Sequence, residues 1–257
     1  MDLGLKGKTA IVTGASGGIG EAIALDLAKE GVNLSLCYHS HRCDRLIGEI
    51  KKFGREVVAF RADLAKSDEV RRLVQRTDEK YGRIDILVNN AGIGLRGSIE
   101  GMREQDWDRV MEVNLKSVFL LSQAVTQSMK KNGWGRIINI GSCVAKTGTN
   151  AQPWIDPQTS NLSSGAAYVA AKAGIHAFTK TLAKEVAGFG ITVNCIAPGA
   201  IKTAMSSVFP DFIKDQIPLQ RLGTPQEIST FVVMLASENA GYITGETLDI
   251  NGGLWMD

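Results

Sequence analysis

The 257-residue chain carries 29 Lys and Arg against 27 Asp and Glu, a net charge of +2. It has no basic block dense enough to serve as a nucleic-acid or anionic-membrane surface, so neither partner is expected. No apolar run is long enough to span a bilayer and no apolar core follows a basic N-terminal stretch, so the protein is expected in the cytoplasm. The four cysteines, Cys37, Cys43, Cys143 and Cys195, lack both CxxC spacing and the density of a secreted disulfide scaffold, and free thiols are expected. Cys37, His39, His41 and Cys43 offer zinc-compatible donors. Alternation along an extended segment throws them to one face without closing a tetrahedron, and no metal is expected.

Apolar runs alternate with helical periodicity along the whole chain, the pattern of an α/β protein with a doubly wound parallel sheet and helices on both faces. In chain order the reading gives strand 9–13, helix 18–30, strands 33–38 and 56–60, helix 67–81, strand 84–89, helix 107–131 and strand 136–140. Helix 166–187, strand 192–196, helix 225–236 and strand 247–250 follow. Seven short strands rich in Val, Ile and Leu fit one Rossmann-type sheet. No linker, composition shift or repeat divides the chain, so residues 1–257 are read as a single domain with the substrate site built in. The polar, Pro- and Ser-containing stretch 147–165 has neither periodicity and is read as an extended loop.

Between the first strand and first helix stands Thr13-Gly14-Ala15-Ser16-Gly17-Gly18-Ile19-Gly20. Glycines allow a sharp turn and close approach of backbone to a pyrophosphate, while the helix N-terminus supplies free N–H donors and a favourable dipole. In this strand–turn–helix setting the turn predicts a dinucleotide site.

The spacing of Gly14, Gly18 and Gly20 resembles the TGxxxGxG turn of the short-chain dehydrogenase/reductase family, and the remaining family motifs follow in order. Asp63, followed by Leu64, looks like the residue that binds the adenine. Asn89-Asn90-Ala91-Gly92 matches the NNAG motif, and Asn114, Ser142, Tyr168, Lys172 and Pro198-Gly199 with Ile201 and Thr203 complete the set. The resemblance implies cofactor contacts from Gly14, Ser16, Gly17, Gly18, Ile19, Gly20, Asp63, Leu64, Asn90, Ala91, Gly92, Tyr168, Lys172, Pro198, Gly199, Ile201 and Thr203.

Tyr168 and Lys172 stand at i and i+4 on one helix, hence on one face. A neighbouring ammonium favours the phenolate, so the tyrosine pKa is expected below its ordinary value near 10, as suits a general acid in carbonyl reduction. The resemblance further implies that Lys172 holds the nicotinamide ribose, that Ser142 hydrogen-bonds the substrate oxygen, and that Asn114 anchors a water through which protons reach Lys172. His176, two turns beyond Tyr168, pairs with no carboxylate by spacing and is read as packing or surface rather than as a base.

NAD-preferring relatives place an acid at the end of the second strand, where this chain has Tyr38. Tyr38, His39, Ser40 and Arg42 offer instead groups that meet a 2′-phosphate, so NADP(H) is favoured and NAD(H) is the alternative. Gly17 stands where many NADP-dependent relatives carry a base within the turn.

GRIINIGS, FTKTLAKEVA, GITVNCIAPG and YITGETLDINGG resemble bacterial 3-oxoacyl-carrier-protein reductases. Two departures qualify that reading. Basic residues that would dock a carrier protein are replaced at Gly133 and Phe189, with Lys130 and Lys131 nearby. Ser142 and Tyr168 are 26 residues apart, 168 minus 142, about twice the family's usual spacing, so a loop beside the reacting centre is lengthened. Within it Trp154 is read as a substrate wall, and the segment 204–217, with Met205, Val208, Phe209 and Phe212, as a substrate lid. The reading is a small-molecule carbonyl or alcohol oxidoreductase, 3-oxoacyl-reductase-like, with a sugar, polyol or small hydroxy-compound dehydrogenase as the alternative. A non-catalytic dinucleotide sensor is disfavoured because all four catalytic positions are filled. By analogy with the family a homotetramer is expected.

Overall fold

The computed structural model describes residues 2–95, 98–148, 165–206 and 211–256. Seven strands, β1 (Thr9–Thr13), β2 (Asn33–Tyr38), β3 (Val57–Arg61), β4 (Ile86–Asn89), β5 (Gly135–Ile140), β6 (Ile191–Pro198) and β7 (Thr247–Ile250), form one sheet. Their order is β3-β2-β1-β4-β5-β6-β7 and every pairing is parallel. Strands covered on both faces have no polar side to present, and every residue of β1, β4, β5 and β6 is buried accordingly.

Alternate residues of each strand feed two cores. Ala10, Val12, Leu34, Leu36, Val88 and Ile138 face Ile23 and Leu27 of α1 (Gly18–Lys29) and Ile228 and Val232 of α8 (Pro225–Ala236). Ile11, Leu87, Ile137 and Val193 face Leu73 of α3 (Ser67–Tyr81), Leu121 and Val125 of α5 (Ser117–Asn132), and Leu182 of α7 (Ala166–Val186). Each fully buried aliphatic side chain contributes about 1.5–3 kcal/mol of burial free energy. Helix α8 begins where Thr224 and Glu227 satisfy each other's backbone N–H groups in a capping box, with Pro225 in its first turn.

The strands lie close to their expected positions, with ends shifted by one or two residues. Two helical features differ from the sequence reading. Helix α2 (Asp44–Lys52) occupies a stretch read as connection; Leu46 and Ile50 are buried and Ile47 packs against the same core, a short apolar stripe on an otherwise charged helix. The expected helix 107–131 is three pieces, α4 (Glu104–Met111), a π turn at Glu112–Lys116 and α5. The lengthened loop starts from a single turn, α6 (Val144–Thr147), and its residues 149–164 lie outside the described residues.

The direction of strand addition reverses between β1 and β4, so the loops leaving their C-terminal ends part and open a crevice. The glycine turn after β1 and the NNAG residues after β4 flank it, and β5 and β6 deliver Ser142 and Pro198 to the same edge.

Candidate functional site

The crevice floor is a backbone cradle locked by two side chains. Thr13 Oγ1 accepts from the N–H groups of Asn90 and Ala91, each at 3.0 Å, and Asn90 Nδ2 donates to the carbonyls of Thr13 at 2.9 Å and Gly14 at 3.2 Å. Gly14 has φ +64°, and a Cβ there would meet Ala91 Cα at 2.9 Å. A Cβ on Gly20 would stand 2.2 Å from the Gly14 carbonyl oxygen, so the helix can begin this close to the turn only with glycine. Thr203 leans over the turn from the far half of the chain, its methyl 3.1 Å from where a Cβ of Gly18 would be.

This geometry fits a dinucleotide pyrophosphate. No side chain caps α1, so its first N–H groups remain available, and a Cβ on solvent-facing Gly17 would meet nothing within 4 Å. Leu64 is buried beside Asp63. Asp63 accepts from the Ala65 N–H at 3.1 Å and pairs with Arg109 at 3.0 Å. Burial pushes the Asp63 carboxyl up, but these partners outweigh it and hold the pKa below the ordinary value. Arg109 was not singled out by the sequence, since only the fold brings α4 to this edge.

At the other end of the crevice Ser142, Tyr168, Lys172 and Asn114 converge. Ser142 follows β5 by two residues and is buried, its hydroxyl close enough to the Tyr168 phenol to lower the phenol's pKa. Lys172 is fully sequestered, donates from Nζ to the Ile140 carbonyl at 2.6 Å and stands 5.6 Å from the centre of the Tyr168 ring. Asn114 sits in the π turn and is buried, its amide bonded both ways to Ile93: Oδ1 accepts from N and Nδ2 donates to O, each at 2.8 Å. A methyl on Gly92 would lie 3.4 Å from Asn114 Oδ1 and 3.7 Å from Lys172 Nζ, which places both residues on one side of the NNAG turn.

The electrostatics depart from the sequence reading at Tyr168. The phenol pKa is raised, not lowered: burial dominates and the neighbouring Ser142 hydroxyl offsets it only in part. Lys172 is not among the groups that move the Tyr168 pKa, and burial depresses the lysine's own pKa to about 8. Without a bound ligand, Tyr168 is therefore a neutral proton donor at physiological pH.

Behind the crevice Asn89 donates to Asn139 at 2.8 Å and Asn139 to Thr179 at 2.9 Å, a buried chain tying β4, β5 and α7 together. At the β2 edge Tyr38 ends its strand half-buried, His39 and Ser40 are exposed and bonded to each other at 3.1 Å, and Arg42 is committed to Asp44, with Nε donating at 2.8 Å. Cys37 and Cys43 point into the two different cores. Gly199 donates to Ile250 at 2.9 Å, and Ile201 is buried against Gly223. Trp154, Val208 and Phe209 lie outside the described residues, while Met205 falls on the helical turn Ala204–Ser206.

Comparison with known proteins agrees with this arrangement. The family model described as enoyl-(acyl carrier protein) reductase matches residues 14–255. The chain is 43% identical over 255 residues to 3-oxoacyl-[acyl-carrier-protein] reductase FabG of Staphylococcus epidermidis, covering 97% of this chain and 99% of that one. It is 44% identical over 256 residues to nodulation protein G of a Rhizobium species, covering 98% of each. The FabG of Vibrio cholerae is 41% identical over 258 residues, which span 99% of this chain and all of that one. The chain belongs to the short-chain dehydrogenase/reductase family and is an NAD(P)(H)-dependent oxidoreductase that interconverts a carbonyl group and an alcohol.

Proposed function

We propose that the protein reduces the 3-oxo group of an acyl thioester with NADPH, the acyl chain being presented on an acyl carrier protein. The observation that carries the chemistry is the convergence of Ser142 and Tyr168 at the C-terminal edge of the sheet, with Lys172 moored to the Ile140 carbonyl just before Ser142. Two hydroxyls that meet there converge on one substrate oxygen, which suits a carbonyl better than a carbon–carbon double bond. When bound, reduced nicotinamide supplies the hydride that the carbonyl carbon receives. Tyr168 protonates the developing alkoxide, Ser142 donates a hydrogen bond to the same oxygen, and Lys172 with Asn114 lies on the inner side, from which the phenol regains its proton. Gly14, Gly18 and Gly20 hold the pyrophosphate, Asp63 and Leu64 bound the adenine, and Asn90, Ala91, Gly92, Pro198, Gly199, Ile201 and Thr203 line the remaining wall.

NADP(H) is favoured over NAD(H) because no acid ends β2; Arg42, His39 and Ser40 would supply donors for a 2′-phosphate instead. A carrier-protein substrate is supported by Lys130, whose ammonium sits 4.1 Å from the centre of the half-exposed Phe189 ring and so presents a cation where Phe189 itself has none. A second reading, a small hydroxy compound or ketone, is favoured by the lengthened segment between Ser142 and Tyr168. Self-association is supported by a groove of about 570 Å³ lined by the apolar Met111, Leu115, Phe119, Gly174 and Phe178 together with the charged Asp108, Glu112 and Lys116. In sedimentation, Phe119→Glu is expected to lower the assembly state.

The test is NADPH oxidation with a short 3-oxoacyl thioester, beside simple ketones and aldoses, with Tyr168→Phe as control. Efficient Tyr168-dependent turnover of the thioester is expected. Turnover confined to the other carbonyls would replace the acyl reading with the second.

A further inference from the structure

The segment that carries Ser142 is short, irregular and needs support from behind. Gly141 donates to the Ile196 carbonyl at 2.7 Å and Cys143 to the Pro198 carbonyl at 3.0 Å, which ties the backbone to β6. Past that point α6 makes a single turn before the lengthened loop. Beneath this segment lies a corner of polar side chains for which the reduction chemistry has no use. Lys146, on α6, donates from Nζ to Asp249 Oδ2 on β7 at 2.6 Å. Their side chains are only 15% and 19% exposed, so this pair is sheltered from the solvent screening that makes surface pairs weak.

The third member is His176. It continues the stripe begun by Tyr168 and Lys172, at i+8 and i+4 respectively, and is buried. Its ring is wedged against the backbone just before Ser142: a Cβ on Gly141 would stand 2.4 Å from His176 Nε2 and 2.7 Å from Cys195 Sγ. The charged groups around it are Lys146, Asp249, Lys172 and Lys180, and burial, aided by the lysines, keeps the imidazole neutral, its pKa down at about 4. His176 Nε2 and Asp249 Oδ1 are both buried without a hydrogen-bond partner among the described residues, a costly arrangement in a core that had the choice of apolar residues.

We infer that Lys146, Asp249 and His176 form a positioning device for carbonyl reduction: the ion pair ties the α6 turn to β7, and the imidazole sets the Gly141 backbone, together fixing Ser142 against Tyr168. None of the three touches substrate or cofactor in this scheme. They act through the geometry of Ser142, where a displacement of about 1 Å is enough to cost up to a hundredfold in rate. This rests on the Ser142–Tyr168 reading of the active site.

The experiment measures kcat, KM for the carbonyl, NADPH affinity and melting temperature for Lys146→Met, Lys146→Arg, Asp249→Asn, His176→Leu and Lys146→Met/Asp249→Asn. Lys146→Met, Asp249→Asn and His176→Leu are each expected to lower kcat about tenfold with NADPH affinity unchanged. Lys146→Arg is expected to retain most of the rate, and the double variant to be no slower than either single one, as for residues that act as a unit. Unchanged kcat in the Lys146 and Asp249 variants, additive losses in the double variant, or losses matched by NADPH affinity or the folded fraction would each overturn the inference. Tyr168→Phe separates the two levels. If it abolishes turnover while the corner variants remain active, only the inference fails; if it stays active, the underlying site reading fails.

Discussion

Lys172 Nζ and the carbonyl oxygen of Ile140 are 2.6 Å apart inside the protein, so the buried ammonium is moored to the strand that presents Ser142 two residues later. A catalytic helix and a catalytic strand are thereby joined by one charge-assisted hydrogen bond. The bond does not cancel the desolvation of the ammonium, and the lysine pKa falls to about 8.

That depression makes a pH prediction with a definite sign. The unfolded chain holds the Lys172 proton up to about pH 10.4, the folded protein only to about 8, so the unfolded state binds more protons between these values. Stability contributed by this group therefore rises from pH 8 towards 10, by about 1.4 kcal/mol per unit at most. Urea unfolding at pH 7.5 and 9.5 should show this rise relative to Lys172→Met; parallel behaviour of the two proteins would refute it.

The paired hydroxyls separate under mutation. Tyr168→Phe removes the transferable proton and is expected to lower kcat about 10²–10⁴-fold, while Ser142→Ala removes one stabilising donor and costs about 10²–10³-fold. Fluorescence titration should find NADPH binding nearly intact in both, since neither change touches the pyrophosphate cradle. Loss of cofactor affinity equal to the loss of rate would assign these residues to binding.

At the glycine turn the constraint is steric. In Gly20→Ala the new Cβ would lie 2.2 Å from the Gly14 carbonyl oxygen, backbone against backbone, with no flexible side chain to yield. The variant is expected to lose dinucleotide affinity and about 1–3 kcal/mol of stability. Thermal melts with and without cofactor check both; a cofactor-induced shift equal to that of the parent protein would contradict the crowding argument.

Cofactor preference should respond to the Arg42–Asp44 pair. Arg42 is exposed and committed to Asp44, which must share it with a 2′-phosphate. Arg42→Gln is expected to reduce the NADPH-to-NADH ratio of kcat/KM about tenfold, the worth of one charged hydrogen bond, and Asp44→Asn to raise it. An unaltered ratio in both variants would place the 2′-phosphate elsewhere.

The sequence reached the sheet because each buried strand announces itself. TAIVT and GRIINI have no polar face to confuse the period, and the alternation of strands with helices gives the doubly wound parallel class, while the order of the strands is seen only in the fold. Tyr168 and Lys172 were legible because four residues of helix impose their proximity. Helix α2 was passed over: Leu46, Ile47 and Ile50 do form a stripe, but over only nine residues it is short enough to read as a connection. The break at Asn114 depends on a π turn, which has no local signature in the letters. The raised pKa of Tyr168 was missed for a different reason: adjacency of a lysine is visible in a sequence, whereas the burial of the phenol that dominates its pKa belongs to the assembled core. Lys146 and Asp249, 103 residues apart, could be paired only by the fold.

Helix α7 has two working sides. Tyr168, Lys172 and His176 share one, and Gly174 and Phe178 line the apolar groove on another, the two centred more than a third of a turn apart. Surface chemistry and active chemistry are thus written into the same twenty-one residues, interleaved letter by letter. Changes on either of those two sides would be felt at the reacting centre or at the groove. Diversification is left to the connections at the sheet edge, and a designer seeking a new substrate would do well to transplant those segments and leave this rod alone.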